Sequence, residues 1–177
     1  MTAGEIQAHG ALVEVLGVGV LLVGPSGIGK SESALDLVQR GHALVADDVV
    51  RIAVEDGRLR GHAPEVTRHY TEIRGLGLLY LPDLYGSECV REEGPVDLWC
   101  ELEEWREGAE FERVGFERPL HELAGVRIPA VRLPARPAGS VATLVEAAAR
   151  DHRLRRAGGR AGANRFEDHW LRGRGAR

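Results

Sequence analysis

Apolar residues fall in short blocks along this 177-residue chain, and the spacing within each block sorts them into strands and helices. "ALVEV" (11–15) and "GVLLVG" (19–24) are aliphatic and β-branched, parted by a short Leu-Gly-Val break, which predicts two neighbouring strands. Residues 30–40, "KSESALDLVQR", set Ala34, Leu35 and Val38 on one helical face and run into Gly41, a residue suited to a helix stop. "ALVADDVVRIAVEDGRLRGHAP" reads as a strand ending near Asp47-Asp48, a second strand, and an Asp56-Gly57 turn. "LGLLYLPDLYG" is a further apolar segment, and "VDLWCELEEW" alternates as a strand does. "VRIPAVRLPAR" alternates too, but Pro129 and Pro134 predict an edge strand or a loop, because proline lacks a ladder N–H. "GSVATLVEAAARDHRLRRAG" is the clearest late helix, with Ser140 as its cap and Gly158 as its stop. The pattern is strand-loop-helix-strand followed by β-rich structure: an α/β domain, more mixed than a doubly wound one.

No repeat and no Pro/Gly/Ser linker divides the chain, so residues 1–177 read as one domain, with about 160–177 as a flexible basic tail. A net charge of −4 gives no basic field for nucleic acid, although "RRAGGRAGANRFEDHWLRGRGAR" is locally basic. No apolar run reaches the roughly 18 residues of a membrane span, and "MTAGEIQAHG" lacks the build of a signal peptide. Cys89 and Cys100 have no metal spacing and read as reduced thiols of a cytoplasmic protein. One basic residue stands apart. Of 23 Lys+Arg, Lys30 is the single lysine, so a compact ammonium is kept there where every other position has taken a guanidinium.

Lys30 lies in Gly24-Pro25-Ser26-Gly27-Ile28-Gly29-Lys30-Ser31, a complete phosphate-loop pattern between a predicted strand and a predicted helix. Glycines let backbone N–H groups wrap a phosphate, and the helix start adds partial positive charge. In such a loop the lysine lies against the β- and γ-phosphates and the serine holds Mg²⁺. Asp47-Asp48 follows one helix and one strand later, which returns the pair to the same sheet edge. Neighbouring strand residues face opposite ways, so both aspartates reach the site only if the strand ends there. One could then assist the metal and the other accept a hydroxyl proton; a plain turn before "VVRI" is the structural alternative. "EIRGLG", Glu72 to Gly77, brings a carboxylate and Arg74 together with two glycines, a loop suited to metal and phosphate but weak evidence by itself. His9, Arg113 and Arg136 are individually unremarkable, and the acidic run from Glu88 to Glu112 reads as a solvated face.

Taken together, "HGALVEVLGVGVLLVGPSGIGKSESALDLVQRGHALVADDVV", "EIRGLGLL", "FERVGF", "LPARP" and "VEAAARDHRLRRAG" resemble, in that order, the C-terminal catalytic domain of HPr kinase/phosphorylase. The likeness covers most of the chain, and the family's usual N-terminal domain is absent from it, so this looks like a short form. The resemblance implies a phosphate-loop kinase core of the type shared with phosphoenolpyruvate carboxykinases, a mixed sheet with flanking helices. It implies use of ATP and Mg²⁺ to phosphorylate a serine on the phosphocarrier protein HPr, hence regulation of the bacterial phosphotransferase system. It also implies a reverse reaction with inorganic phosphate that releases pyrophosphate, and a homo-oligomer, commonly a hexamer. Carried over by motif, His9, Lys30, Asp48 and Arg113 fall on the catalytic positions, Ser31 and Glu72 on the metal positions, and residues 24–31 on the nucleotide loop. Asp48 would then take the acceptor serine's proton and Asp47 support the metal. Arg74 and His9 could hold incoming phosphate.

One loop departs from the family pattern. Where the family reads proline, a small residue, then Arg-Pro-Gly-Arg-Asn, this chain reads "PARPAGS", which keeps Arg136-Pro137 but lacks the second arginine and the asparagine. Loss of a guanidinium from a phosphate-handling loop predicts weak reverse phosphorolysis. Two other functions fit the same motifs: a related kinase with a different acceptor, and an ATP-sensing regulatory module that transfers nothing. Asp48 and Glu72 argue against the module, because binding alone requires no proton acceptor.

Overall fold

The computed structural model describes residues 4–112, 115, 117–135, 139–159, 162, 164–167 and 170. Arg113 and Arg136 lie outside these residues, as does most of the basic tail, whose described positions are helical.

The strand β1 (Ile6–His9) leads into β2 (Ala11–Val15) and β3 (Val18–Val23), which pair antiparallel across a turn at Leu16 and Gly17. Helix α1 (Lys30–Gln39) follows the phosphate loop, then β4 (Ala43–Ala46). Its buried stripe is Ser33, Ala34, Leu37 and Val38, not the predicted Ala34-Leu35-Val38 face. Leu35 lies about 100° round the helix from Ala34 and is only partly buried. Gly41 closes α1 with φ +88°, its N–H on the Val38 carbonyl and that of His42 on Leu37, the paired bonds of a Schellman stop.

Strands β5 (Val49–Glu55) and β6 (Arg58–His62) form a hairpin at Asp56-Gly57, where both residues take positive φ. Then come β7 (Tyr70–Ile73), β8 (Gly77–Tyr80), the short helix α2 (Leu81–Tyr85), β9 (Glu93–Pro95) and β10 (Leu98–Glu104). Strands β11 (Leu120–Leu123) and β12 (Val126–Ala135) precede α3 (Val141–Arg156), which Ser140 caps by accepting from the Thr143 N–H.

A mixed sheet in the order β11-β12-β10-β3-β2-β4 forms the centre. Helices α1 and α3 cover one face through Leu37, Val38, Val145 and Ala149, against Val13, Val20, Leu22 and Leu98. The other face meets a second sheet, β1-β5-β6-β9, whose Val50, Ile52 and Leu59 pack on Leu12, Leu21 and Val45. The α/β expectation holds, with helices on one side and a sheet on the other. Cys89 and Cys100 are free and buried, and burial pushes the Cys100 thiol up to about 12.

The proline-bearing segment is no loop, and it is an edge only half by half: β12 lies between β11 and β10. Its first half pairs with β11 and its second half, parallel, with β10, so each half has one unpaired side. Pro129 and Pro134 are accommodated because each needs a partner on one side only.

Candidate active site

Strand β3 is buried along its whole length and delivers the chain to the loop at a fixed point. Gly24 takes φ +143°, and a β-carbon there would lie 2.5 Å from the Leu102 carbonyl oxygen of β10. Glycine is therefore required by close approach as well as by conformation. Gly27 and Gly29 also have positive φ, and the Gly29 carbonyl anchors the helix start by accepting from the backbone N–H and hydroxyl of Ser33. Lys30 is buried, and its Nζ donates to the carbonyls of Gly24 at 2.8 Å and Pro25 at 3.0 Å. The ammonium thus lies inside the curl of the loop.

The acidic pair divides. Strand β4 stops at Ala46, and Asp47 turns inward, 5% exposed. Its Oδ1 accepts from the Ser31 hydroxyl at 3.0 Å and its Oδ2 from the Thr71 hydroxyl at 2.5 Å. Burial pushes the Asp47 carboxyl above the usual carboxylate range, and the two hydroxyls oppose that rise without cancelling it. Asp48 adopts φ +67°, which breaks strand alternation and leaves both carboxylates on one cleft. The Asp48 side chain is open to solvent, with Oδ1 3.2 Å from His9 Nδ1. That contact arises from strand pairing: His9 lies opposite Val49 in the β1–β5 register, and the Gly10 N–H bonds the Asp48 carbonyl.

These groups line a cleft of about 180 Å³, with Glu72 and Arg74 on its far wall. Two residues apart on β7 and its turn, they face the same way, and the Arg74 guanidinium lies over Gly27, 3.5 Å from where a β-carbon would sit. A larger cavity of about 630 Å³ adjoins α3 and β12, where Arg118 and Arg155 both bond Asp151.

Of the residues the sequence singles out, His9, Lys30, Ser31, Asp47, Asp48, Glu72 and Arg74 come together; Arg113 and Arg136 are outside the described residues. Sequence reasoning passed over Thr71. The available signal was a polar residue two places before the buried Ile73, hence on the same inward side of β7.

Among the described residues no three His, Cys, Asp or Glu converge as a metal cage. The hard oxygens of Ser31 and Asp47, 3.0 Å apart, instead suit Mg²⁺ held by one or two carboxylates together with substrate phosphates. No helix among the described residues is long and apolar enough to cross a membrane.

A phosphate loop closing on a buried aspartate, with a second, exposed aspartate beside it, defines an α/β domain of the phosphate-loop kinase class. The chain belongs to the HPr serine kinase C-terminal domain family, which its residues 1–169 match. It is 45% identical over 178 residues to an HPr kinase/phosphorylase of Caldicellulosiruptor bescii, covering 98% of this chain and 57% of that protein. It is 48% identical over 157 residues to one of Caldanaerobacter subterraneus subsp. tengcongensis, covering 88% and 52%. The chain thus spans about half the length of the curated relatives it matches. It also superposes on the solved Hpr(Ser) kinase/phosphatase of Coxiella burnetii with a TM-score of 0.78 at 30% identity, covering 86% of this chain and 99% of that one.

Proposed function

We propose that this domain is a nucleotide-dependent protein-serine kinase that uses ATP and Mg²⁺ to phosphorylate an HPr-type phosphocarrier protein. The observation that carries the reading is the split acidic pair: Asp47 buried on Ser31, Asp48 exposed beside His9, both on the cleft of Lys30. Phosphoryl transfer needs positive charge on the phosphate tail and an aligned acceptor, with little covalent chemistry from the protein. Lys30 supplies a fixed ammonium. Ser31 and Asp47, with Glu72, would hold Mg²⁺, which when bound neutralises charge on the β- and γ-phosphates. Asp48 accepts the acceptor hydroxyl's proton as the serine oxygen bonds the γ-phosphorus and the bond to the β-phosphate bridging oxygen breaks, leaving phosphoserine and ADP. His9, 3.2 Å away, orients that carboxylate.

A protein acceptor is favoured over a metabolite by Leu76 and Leu78, which are 70% and 67% exposed on the β7–β8 hairpin that carries Glu72. Phosphorolysis by the same site is weak on this reading, because "PARPAGS" lacks the second arginine. Oligomerisation is part of the same family-based proposal. The test combines purified protein, labelled ATP, Mg²⁺ and the host's phosphocarrier proteins. Wild type should label a serine; Asp48→Asn should bind nucleotide normally and lose transfer roughly 10²- to 10⁴-fold. Undiminished transfer by Asp48→Asn removes Asp48 as the base. The reverse arm, phospho-acceptor plus phosphate, should release pyrophosphate slowly relative to the forward rate.

A further inference from the structure

The side chain of Thr71 is 2% exposed, and its hydroxyl donates to Asp47 Oδ2 at 2.5 Å. The other oxygen of Asp47 is held by Ser31. The carboxylate is therefore gripped at both ends, by a helix on one side and by β7 on the other. Strands β7 and β8 pair with each other and belong to neither of the larger sheets, so no backbone ladder sets Thr71 against the end of β4. The side-chain bond makes that connection.

We propose that Thr71 is a positioning residue for the metal site, its buried hydroxyl fixing the Asp47 carboxylate with Oδ1 turned to Ser31. The proposal rests on the nucleotide reading above. With Ser31 and Asp47 offering oxygens to a divalent cation, the Thr71 bond to Oδ2 would fix the carboxylate from the side away from Ser31. Partners of metal ligands act in this way generally, and their loss weakens metal binding roughly 10- to 100-fold. Thr71 is also the residue before Glu72, so one bond sets both the buried carboxylate and the strand that carries the exposed one to the cleft. Valine at 71 would fill the same space without a donor and remove the hydroxyl that holds Oδ2 from β7.

Mn²⁺ serves as the probe, its uptake with ADP followed by the electron paramagnetic resonance of the free ion. Thr71→Val should weaken Mn²⁺ uptake by about 10-fold or more, while Thr71→Ser, which restores the hydroxyl, should stay within about threefold of wild type. Binding of metal-free ADP by Thr71→Val should change by less than about threefold, since the phosphate loop is untouched. Thr71→Cys, close in shape but a weak donor, carries the valine expectation should Thr71→Val fail to fold. Mn²⁺ uptake by Thr71→Val within about twofold of wild type overturns the proposal, as does a serine variant as impaired as the valine one. Wild-type protein that takes up no Mn²⁺ with nucleotide overturns the nucleotide reading itself, an outcome that needs no variant.

Discussion

Asp47 and Asp48 are adjacent in sequence and opposite in environment. Burial raises the pKa of Asp47, so its ionised form is costly to the fold and is held by two hydroxyls; Asp48 stays in water beside His9. Groups that cost stability where they lie are characteristic of working sites. Lys30 is a second charge buried in the same site. Its ammonium fits between two carbonyls at 2.8 and 3.0 Å in a buried pocket, where a planar guanidinium is wider and forks its donors apart. Lys30→Arg should therefore keep the charge yet lose roughly 10- to 100-fold in Mg·ATP affinity, the scale of a charged hydrogen bond. Isothermal titration of the two proteins measures this, and equal affinities would show that charge alone matters at position 30. The lysine was legible because it is the one lysine among 23 basic residues and stands in a full motif. His9 was legible only through the family resemblance, because its meeting with Asp48 depends on the β1–β5 register, which no spacing along the chain reveals.

Among elements, turns and caps were the readable features, since they are local: Gly41, Asp56-Gly57 and Ser140 each behave as their chemistry dictates. The placement of β12 was not readable. Proline excludes a ladder bond on one side, and the sequence cannot say that β12 changes partners halfway and so has a free side throughout. "EIRGLG" read as a loop before an apolar stretch; that it closes a β7–β8 hairpin standing apart from both large sheets was not readable. That independence matters for the acceptor. Leu78 pairs directly with Glu72, and Leu76 occupies the tip between Gly75 and Gly77, both with positive φ, so two exposed leucines lie on the hairpin that carries Glu72 to the cleft. For the proposed phosphocarrier acceptor, replacing both by serine should raise KM by about 10-fold, as loss of an apolar contact at an interface centre does, and leave KM for the proposed donor, ATP, within about twofold. Steady-state kinetics with each substrate varied in turn separates the two. An unchanged acceptor KM would place the acceptor elsewhere.

At the scale of the molecule, the site lies where the two halves of the core meet. Strand β3 gives Val18, Val20 and Leu22 to the helix-covered face and Leu21 and Val23 to the face shared with the second sheet, then becomes the phosphate loop. Strand β4 does the same with Leu44 and Val45 and ends one residue before Asp47. A ligand bridging the loop and Asp47 therefore grips both halves at once, and its binding energy should appear as stability of the whole domain rather than of one element. For ligand at 100 times Kd the linkage is about 2.7 kcal/mol. In a domain of this size each kcal/mol moves Tm by about 2–4 °C, so Mg·ATP should raise Tm by roughly 5–11 °C. The transition should remain single, because no core cluster can melt without losing β3. Lys30→Ala should abolish the shift, and EDTA should shrink it by removing the bridge at Ser31 and Asp47 while leaving the loop contacts. Calorimetric melts check all three. A shift confined to one of two resolved transitions would mean that the core halves unfold separately and that the loop reports on only one of them.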